Sequence, residues 1–258
     1  METVTGQPNS DHPQGQRSYE GHEKEVQDVQ DEYPKGLREL IMADKVIIRQ
    51  CLDVAEAVLC WQRPCRYSLY TSDEDEDHFL YAQEISECYL RQCLGAVRGF
   101  VMKFSNAEMQ DVMRLQRPLR CPCGVCWWWC CCVQELTIES PSGNPVGRIV
   151  ENRMCCCPRY QILDDGDNVV FNVEFSCCLC KLCADVSIQI FGARYGDEPV
   201  AEITKACRGN NKDCCGTENN FILHYLLTDL HVQDKILLLG ASFLIDYNFF
   251  ERQQRSCC

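Results

Sequence analysis

KILLLGASFLIDYNFFE, Lys235 to Glu251, decides how the rest of the chain is read. From Ile236 to Ile245 it runs ten residues without a polar side chain larger than serine, then meets Asp246. A bilayer span needs about 20 apolar residues. Extending the run to Phe250 gives fifteen residues with Asp246 and Asn248 inside it. A helix that is apolar on nearly every side but too short to cross lipid reads as a buried core helix. A single-pass membrane anchor is the alternative, because an acid inside a membrane costs a few kcal/mol without being forbidden.

What could bury such a helix is encoded upstream. RYSLY, HFLYAQE, GFVMKF, VQELTIES, GRIVEN, RYQILDD, NVVFNVEF, DVSIQIFG and VAEITK, all between Arg66 and Lys205, mix β-branched or aromatic residues with polar ones near period two. SPSGNP and DDGD supply turns between some of them. Nine strand candidates at close spacing predict an antiparallel barrel or sandwich. A barrel with one helix threaded through its middle accounts for both observations. Before the strands, LRELIMADKVIIRQCLDVAEAVL from Leu37 reads as a helix, although Val46-Ile47-Ile48 would also suit a strand. Residues 1–33 hold few large apolar side chains and read as a disordered tail, with residues 253–258 as a second tail. The acidic run Asp73 to Asp77 reads as a solvated loop.

Of the 258 residues, 23 are cysteine, and the formal charge is −13. The start METVTGQPNS lacks the basic patch and apolar core of a secretory signal, which predicts synthesis in the cytosol and reduced thiols rather than a disulfide scaffold. The acidic balance and the absence of a basic block disfavour nucleic-acid binding, and disfavour binding to anionic lipid by charge alone. Five histidines (His12, His22, His78, His224 and His231) pair with no nucleophile motif, and no phosphate-cradling glycine loop appears. An enzyme is therefore not expected.

The cysteines concentrate in CPCGVCWWWCCC, Cys121 to Cys132. Thiols among large rings suit metal ligation or fatty acylation at a membrane surface, and they also suit core packing as small hydrophobes. Two acyl chains anchor firmly where one is marginal, and Trp127, Trp128 and Trp129 suit the headgroup level. The metal reading uses Cys123 and Cys126 with Cys180 and Cys183, two CxxC pairs that make a four-cysteine zinc site only where the fold brings both loops together. Cys155 to Cys157 and Cys214-Cys215 fit neither scheme cleanly, and the closing Cys257-Cys258 reads as free terminal thiols or further palmitate sites, with a double-cysteine prenylation ending as the alternative.

RPLRC (Arg117 to Cys121), the cysteine cluster and VQELTIESPSGNPVGRIVE together resemble the phospholipid scramblases. CCLCKLCADVSIQI (Cys177 to Ile190) resembles that family's second cysteine-rich stretch, and GASFLIDYNFFE (Gly240 to Glu251) its terminal helix. Weaker similarity reaches back to PKGLREL, so the resemblance covers about residues 34 to 251. It implies a mainly β, tubby-like fold, a closed twelve-stranded antiparallel barrel spanning 34–252 around a hydrophobic helix at 232–251. It also implies ATP-independent, calcium-responsive movement of phospholipids between leaflets by a palmitoylated protein at the cytoplasmic face of the plasma membrane. Cytosolic or nuclear pools, membrane or signalling protein partners and oligomerisation are further implications. A palmitoylated adaptor without transport, or a zinc-stabilised interaction protein, are the alternatives.

Residue by residue, Cys131 and Cys132 fall on the family's terminal acylated pair, while Cys130 stands where the family has proline and the tryptophans lengthen the run. The family's calcium segment, DxDNFGIQFPLD-like, corresponds here to TENNFILHYLLTD. The resemblance places ligands at Thr217, Asn219, Phe221, Leu223, Tyr225 and Asp229, but Thr217 and Asn219 replace the two leading acids. A hard cation wants six to eight oxygens, so calcium binding is expected to be weak or absent. Phe221, Leu223 and Tyr225 alternatively point inward from a barrel strand.

Overall fold

The computed structural model describes residues 34–51, 63–75, 77–120, 133–154, 157–175, 186–194, 196, 198–205 and 220–250. Twelve strands run in chain order: β1 (Lys45–Gln50), β2 (Arg66–Tyr70), β3 (Leu80–Ile85), β4 (Phe100–Asn106), β5 (Asp111–Arg117) and β6 (Glu135–Glu139). They continue as β7 (Pro145–Met154), β8 (Cys157–Asp164), β9 (Val169–Glu174), β10 (Val186–Gly192), β11 (Pro199–Lys205) and β12 (Asn220–Tyr225). Each pairs antiparallel with its sequence neighbours, and β12 returns to β1 in the register Lys45↔His224 to Arg49↔Asn220, closing the barrel. The expected closed twelve-stranded antiparallel barrel is the fold. Closure leaves no unpaired edge.

In such a meander the connections alternate between the two ends. Those that follow odd-numbered strands lie at what we call the upper end, and those that follow even-numbered strands at the lower end. Two short helices flank the strands, α1 (Leu37–Met42) before β1 and α2 (Cys88–Leu94) between β3 and β4. The helix expected from Leu37 onward stops at Met42. Beyond Asp44 the β-branched Val46, Ile47 and Ile48 are all buried, which suits a strand held between two neighbours better than a helix with one wet face.

The apolar segment is helix α3 (Val232–Ile245), continued by a π-turn, Asp246–Phe250. Every residue from Lys235 to Ile245 is buried, so the barrel surrounds the helix on all sides. Phe243, in the last turn of the helix, lies edge-on to Tyr67 (5.1 Å), Phe104 (5.2 Å) and Phe221 (5.8 Å). Each fully buried Leu, Ile or Phe contributes about 1.5–3 kcal/mol. Close approach is met by absent side chains: a Cβ on Gly240 would lie 2.4 Å from Ile138 Cδ1, and one on Gly147 of β7 only 2.3 Å from the Leu163 carbonyl oxygen and 2.7 Å from Leu237 Cδ2. Among the described residues no helix is long and apolar enough to cross a membrane.

Candidate functional site

Polar groups fix the helix at both ends. At the lower end Lys235 Nζ donates to the carbonyls of Ile41 (2.6 Å) and Ala43 (2.8 Å), at the close of α1, and lies 4.9 Å from the centre of the Tyr225 ring. Burial pulls the Lys235 ammonium down from its ordinary value, with Asp44 opposing. These carbonyls are otherwise the unpaired end of a short helix, so the lysine joins α1 to α3.

At the upper end the π-turn carries Asp246, Tyr247 and Asn248 into a buried polar layer. Arg98 meets Glu84 of β3 through two parallel bonds, Nε to Oε1 and Nη2 to Oε2, both 2.6 Å. Glu84 also accepts from the Cys65 backbone N–H (2.9 Å), Ser86 Oγ (2.6 Å) and the Tyr247 hydroxyl (3.0 Å). Burial pushes the Glu84 carboxyl up, but the Arg98 bonds and charge, with Ser86 and the Cys65 N–H, outweigh it and hold the pKa at about 2. Beside it Arg117, the last residue of β5, donates to Gln134 Oε1 (2.6 Å) and Asn248 Oδ1 (2.7 Å), and Asn248 donates to the Tyr160 hydroxyl (2.8 Å). Lys205 and Tyr67 both reach Asp246, each at 3.3 Å. A carboxylate this acidic is a poor general base at neutral pH, so the layer seats the helix rather than moving protons.

This layer went unrecognised in the sequence. Arg98, inside GAVRGF, and Arg117, beginning RPLRC, were its available signals: single cations at the junction of an apolar run and a strand end.

The sequence-predicted residues fall into two groups. Cys123, Cys126, Cys130, Cys131 and Cys132 belong to the β5–β6 connection, and Cys180 and Cys183 to the β9–β10 connection; all seven lie outside the described residues, as do Thr217 and Asn219. Both connections leave and re-enter at the upper end, separated around the barrel by β7 and β8. Phe221, Leu223 and Tyr225 are described and buried on β12, pointing inward in alternation. Phe221 and Leu223 carry no oxygen beyond the backbone, and the Tyr225 hydroxyl donates to the Lys235 carbonyl (3.2 Å). Asp229 is exposed in the turn between β12 and α3, at the lower end. Asn220, the upper-end start of β12, is separated from Asp229 by the length of that strand, about 17 Å at ~3.4 Å per residue. One cation cannot touch both ends of this strand. Among the described residues no group of three or more His, Cys, Asp or Glu side chains is placed to hold a metal ion.

A closed antiparallel barrel occupied by its own apolar helix, with cysteine-rich connections at one end, defines a class: the helix-filled β-barrels. The profile of one protein family, described as Scramblase, matches residues 24–252, and the chain belongs to that family. Its sequence is 31% identical to phospholipid scramblase 1 of Rattus norvegicus over 229 residues, covering 86% of this chain and 66% of the rat protein. It is 31% identical to phospholipid scramblase 1 of Homo sapiens (84% and 66%) and 32% identical to phospholipid scramblase 2 of Bos taurus (84% and 72%). The chain thus spans just under two thirds of the length of the rat and human relatives. No solved structure matches it.

Proposed function

We propose that the protein acts at a membrane surface as a phospholipid scramblase-like protein, moving phospholipids between leaflets without ATP. The observation that carries this reading is the family match across residues 24–252, together with relatives that are themselves named phospholipid scramblases. Palmitoyl chains on Cys130, Cys131 and Cys132 supply the attachment, at the cytoplasmic face of the plasma membrane. Each buried methylene contributes about 0.8 kcal/mol, so several neighbouring chains hold where one would exchange.

A second reading, an acylated adaptor that moves no lipid, is favoured by one specific observation: the barrel is filled by its own helix, which leaves no polar route through it. Reconstitution of the acylated protein into vesicles carrying labelled phospholipid decides between the two. Transfer of label across the bilayer supports the first reading, and unchanged asymmetry supports the adaptor. The same vesicles with and without calcium test the calcium response. Metal content of the purified protein tests zinc on Cys123, Cys126, Cys180 and Cys183. Hydroxylamine-sensitive acyl exchange, reduced in a Cys130/Cys131/Cys132→Ser variant, tests the anchor, and an unacylated wild type would remove both membrane readings.

A further inference from the structure

The barrel topology sorts the cysteines. All 23 belong to the connections after odd-numbered strands, to the residues bounding them, or to the stretch beyond the π-turn, and each of these leaves from the upper end. The lower-end connections hold none, and neither do residues 1–33 nor any mid-strand position. Core-filling cysteines would occupy inward strand positions, but those hold residues such as Leu136, Ile149, Phe171 and Ile203. Of the described thiols, Cys51, Cys88 and Cys93 are exposed and only Cys65 is buried. The four tryptophans, Trp61 and Trp127 to Trp129, fall within connections that leave from the same end.

Charge divides the molecule the same way. The lower-end connections carry a formal charge of −10, half of it from Asp73 to Asp77, whereas the upper-end connections and the final residues carry +2. Exposed apolar side chains do not discriminate, since Ile85, Tyr89 and Leu119 stand at the upper end and Met42, Met109 and Leu226 at the lower. Thiols, tryptophans and charge do discriminate, and all three select the same end.

We infer that the barrel docks end-on to a phospholipid surface, upper end down, with acyl chains drawn from more than one of its connections and the acidic lower end held in water. The inference rests on the membrane reading above and adds an orientation to it. Anionic headgroups repel the lower end within a Debye length of about 8 Å and leave the upper end unopposed. Thiols spread around a rim resist tilting in a way that one cluster on one connection does not.

The test uses the full chain, acylated in eukaryotic cells and reconstituted into phosphatidylcholine–phosphatidylserine vesicles, with or without bromine on the acyl chains. Tryptophan emission is expected to lose most of its intensity in the brominated vesicles. A protease site inserted in the exposed lower-end turn 140–144 is expected to be cut as fast on vesicles as in detergent, and acyl-site mapping is expected to find chains outside 121–132 as well as within it. A vesicle-bound protein whose tryptophans are unquenched, or whose lower-end site is slowed about tenfold or more, overturns the orientation while leaving the membrane reading intact. Acylation confined to Cys130–Cys132 overturns the rim. A protein that neither carries acyl chains nor sediments with vesicles defeats the membrane reading itself.

Discussion

Replacing Gly240 by alanine separates a helix seated in the barrel from one that lies in lipid, because the sign of the effect differs. In an unconfined helix alanine is favoured over glycine by about 1 kcal/mol. Inside the barrel the added methyl would lie 2.4 Å from Ile138 Cδ1 and 3.1 Å from Ile138 Cγ1, with Ile149 Cδ1 at 3.4 Å behind them. Ile138 is wholly buried, so its side chain can swing away only into occupied space. Overpacking of this kind costs about 1–3 kcal/mol, and an overlap of roughly 1 Å belongs in the upper half of that range. Net destabilisation of about 1–2 kcal/mol is expected by urea unfolding under reducing conditions. Ile138→Val removes the offending Cδ1 and costs about 0.5–1.5 kcal/mol alone. The double variant should recover about 1 kcal/mol relative to the sum of the two, since the residues touch. A Gly240→Ala protein that is more stable than wild type, with additive behaviour in the double variant, would refute the seated helix.

Gly147→Ala is expected to be worse, at or above the top of the same ~1–3 kcal/mol range, because its new methyl meets the Leu163 carbonyl oxygen, which belongs to the backbone; thermal denaturation checks this. Arg98→Met leaves Glu84 buried without its main partner and should cost about 3–5 kcal/mol by urea unfolding, whereas changing both residues to apolar ones should cost much less. Glu84 is also a source of acid sensitivity. Its folded pKa of about 2 lies below the ordinary 4.5, so its contribution is complete above pH 4.5 and is lost as pH falls toward 2, amounting to about 3 kcal/mol. Urea midpoints measured between neutral pH and pH 3 should fall along that limb for wild type, and Glu84→Gln should flatten it.

How far the sequence shows this fold depends on what each segment must satisfy. The nine strands legible from period-two alternation carry β-branched and aromatic residues facing one interior, as in NVVFNVEF. β5 is different: DVMRLQR has one β-branched residue, and its methionine, leucine and arginines read no better as strand than as helix. It becomes a strand because β4 and β6 pair with it on both sides, a tertiary condition that local pattern does not contain. β12 is legible as an alternative to a ligand segment because Phe221, Leu223 and Tyr225 alternate. The polar layer was hidden for another reason. Arg98 and Glu84 are 14 residues apart, so they pair only once the chain has turned from β3 toward β4, and Arg117 and Asn248 are 131 apart and pair only once the helix is seated.

Seating the helix also constrains any mechanism of lipid movement. A headgroup path through the barrel requires an interior that water can enter, yet the interior is lined by residues such as Phe104, Leu136, Ile190 and Leu223 and occupied by α3 along its length. Releasing α3 into a bilayer would rebury its own apolar surface but not the barrel's. It would also strip Asn248 from Arg117, Tyr247 from Glu84 and Lys235 from the carbonyls of α1, breaking hydrogen bonds to charged groups that contribute about 1.5–3 kcal/mol each. The 14 residues of α3 reach about 21 Å, short of the ~30 Å hydrocarbon core they would have to cross. A filled barrel and a pore through it therefore exclude each other within one chain. On the function and orientation proposed above, lipid movement takes place on the outside of the barrel, at its upper end, or between copies held side by side.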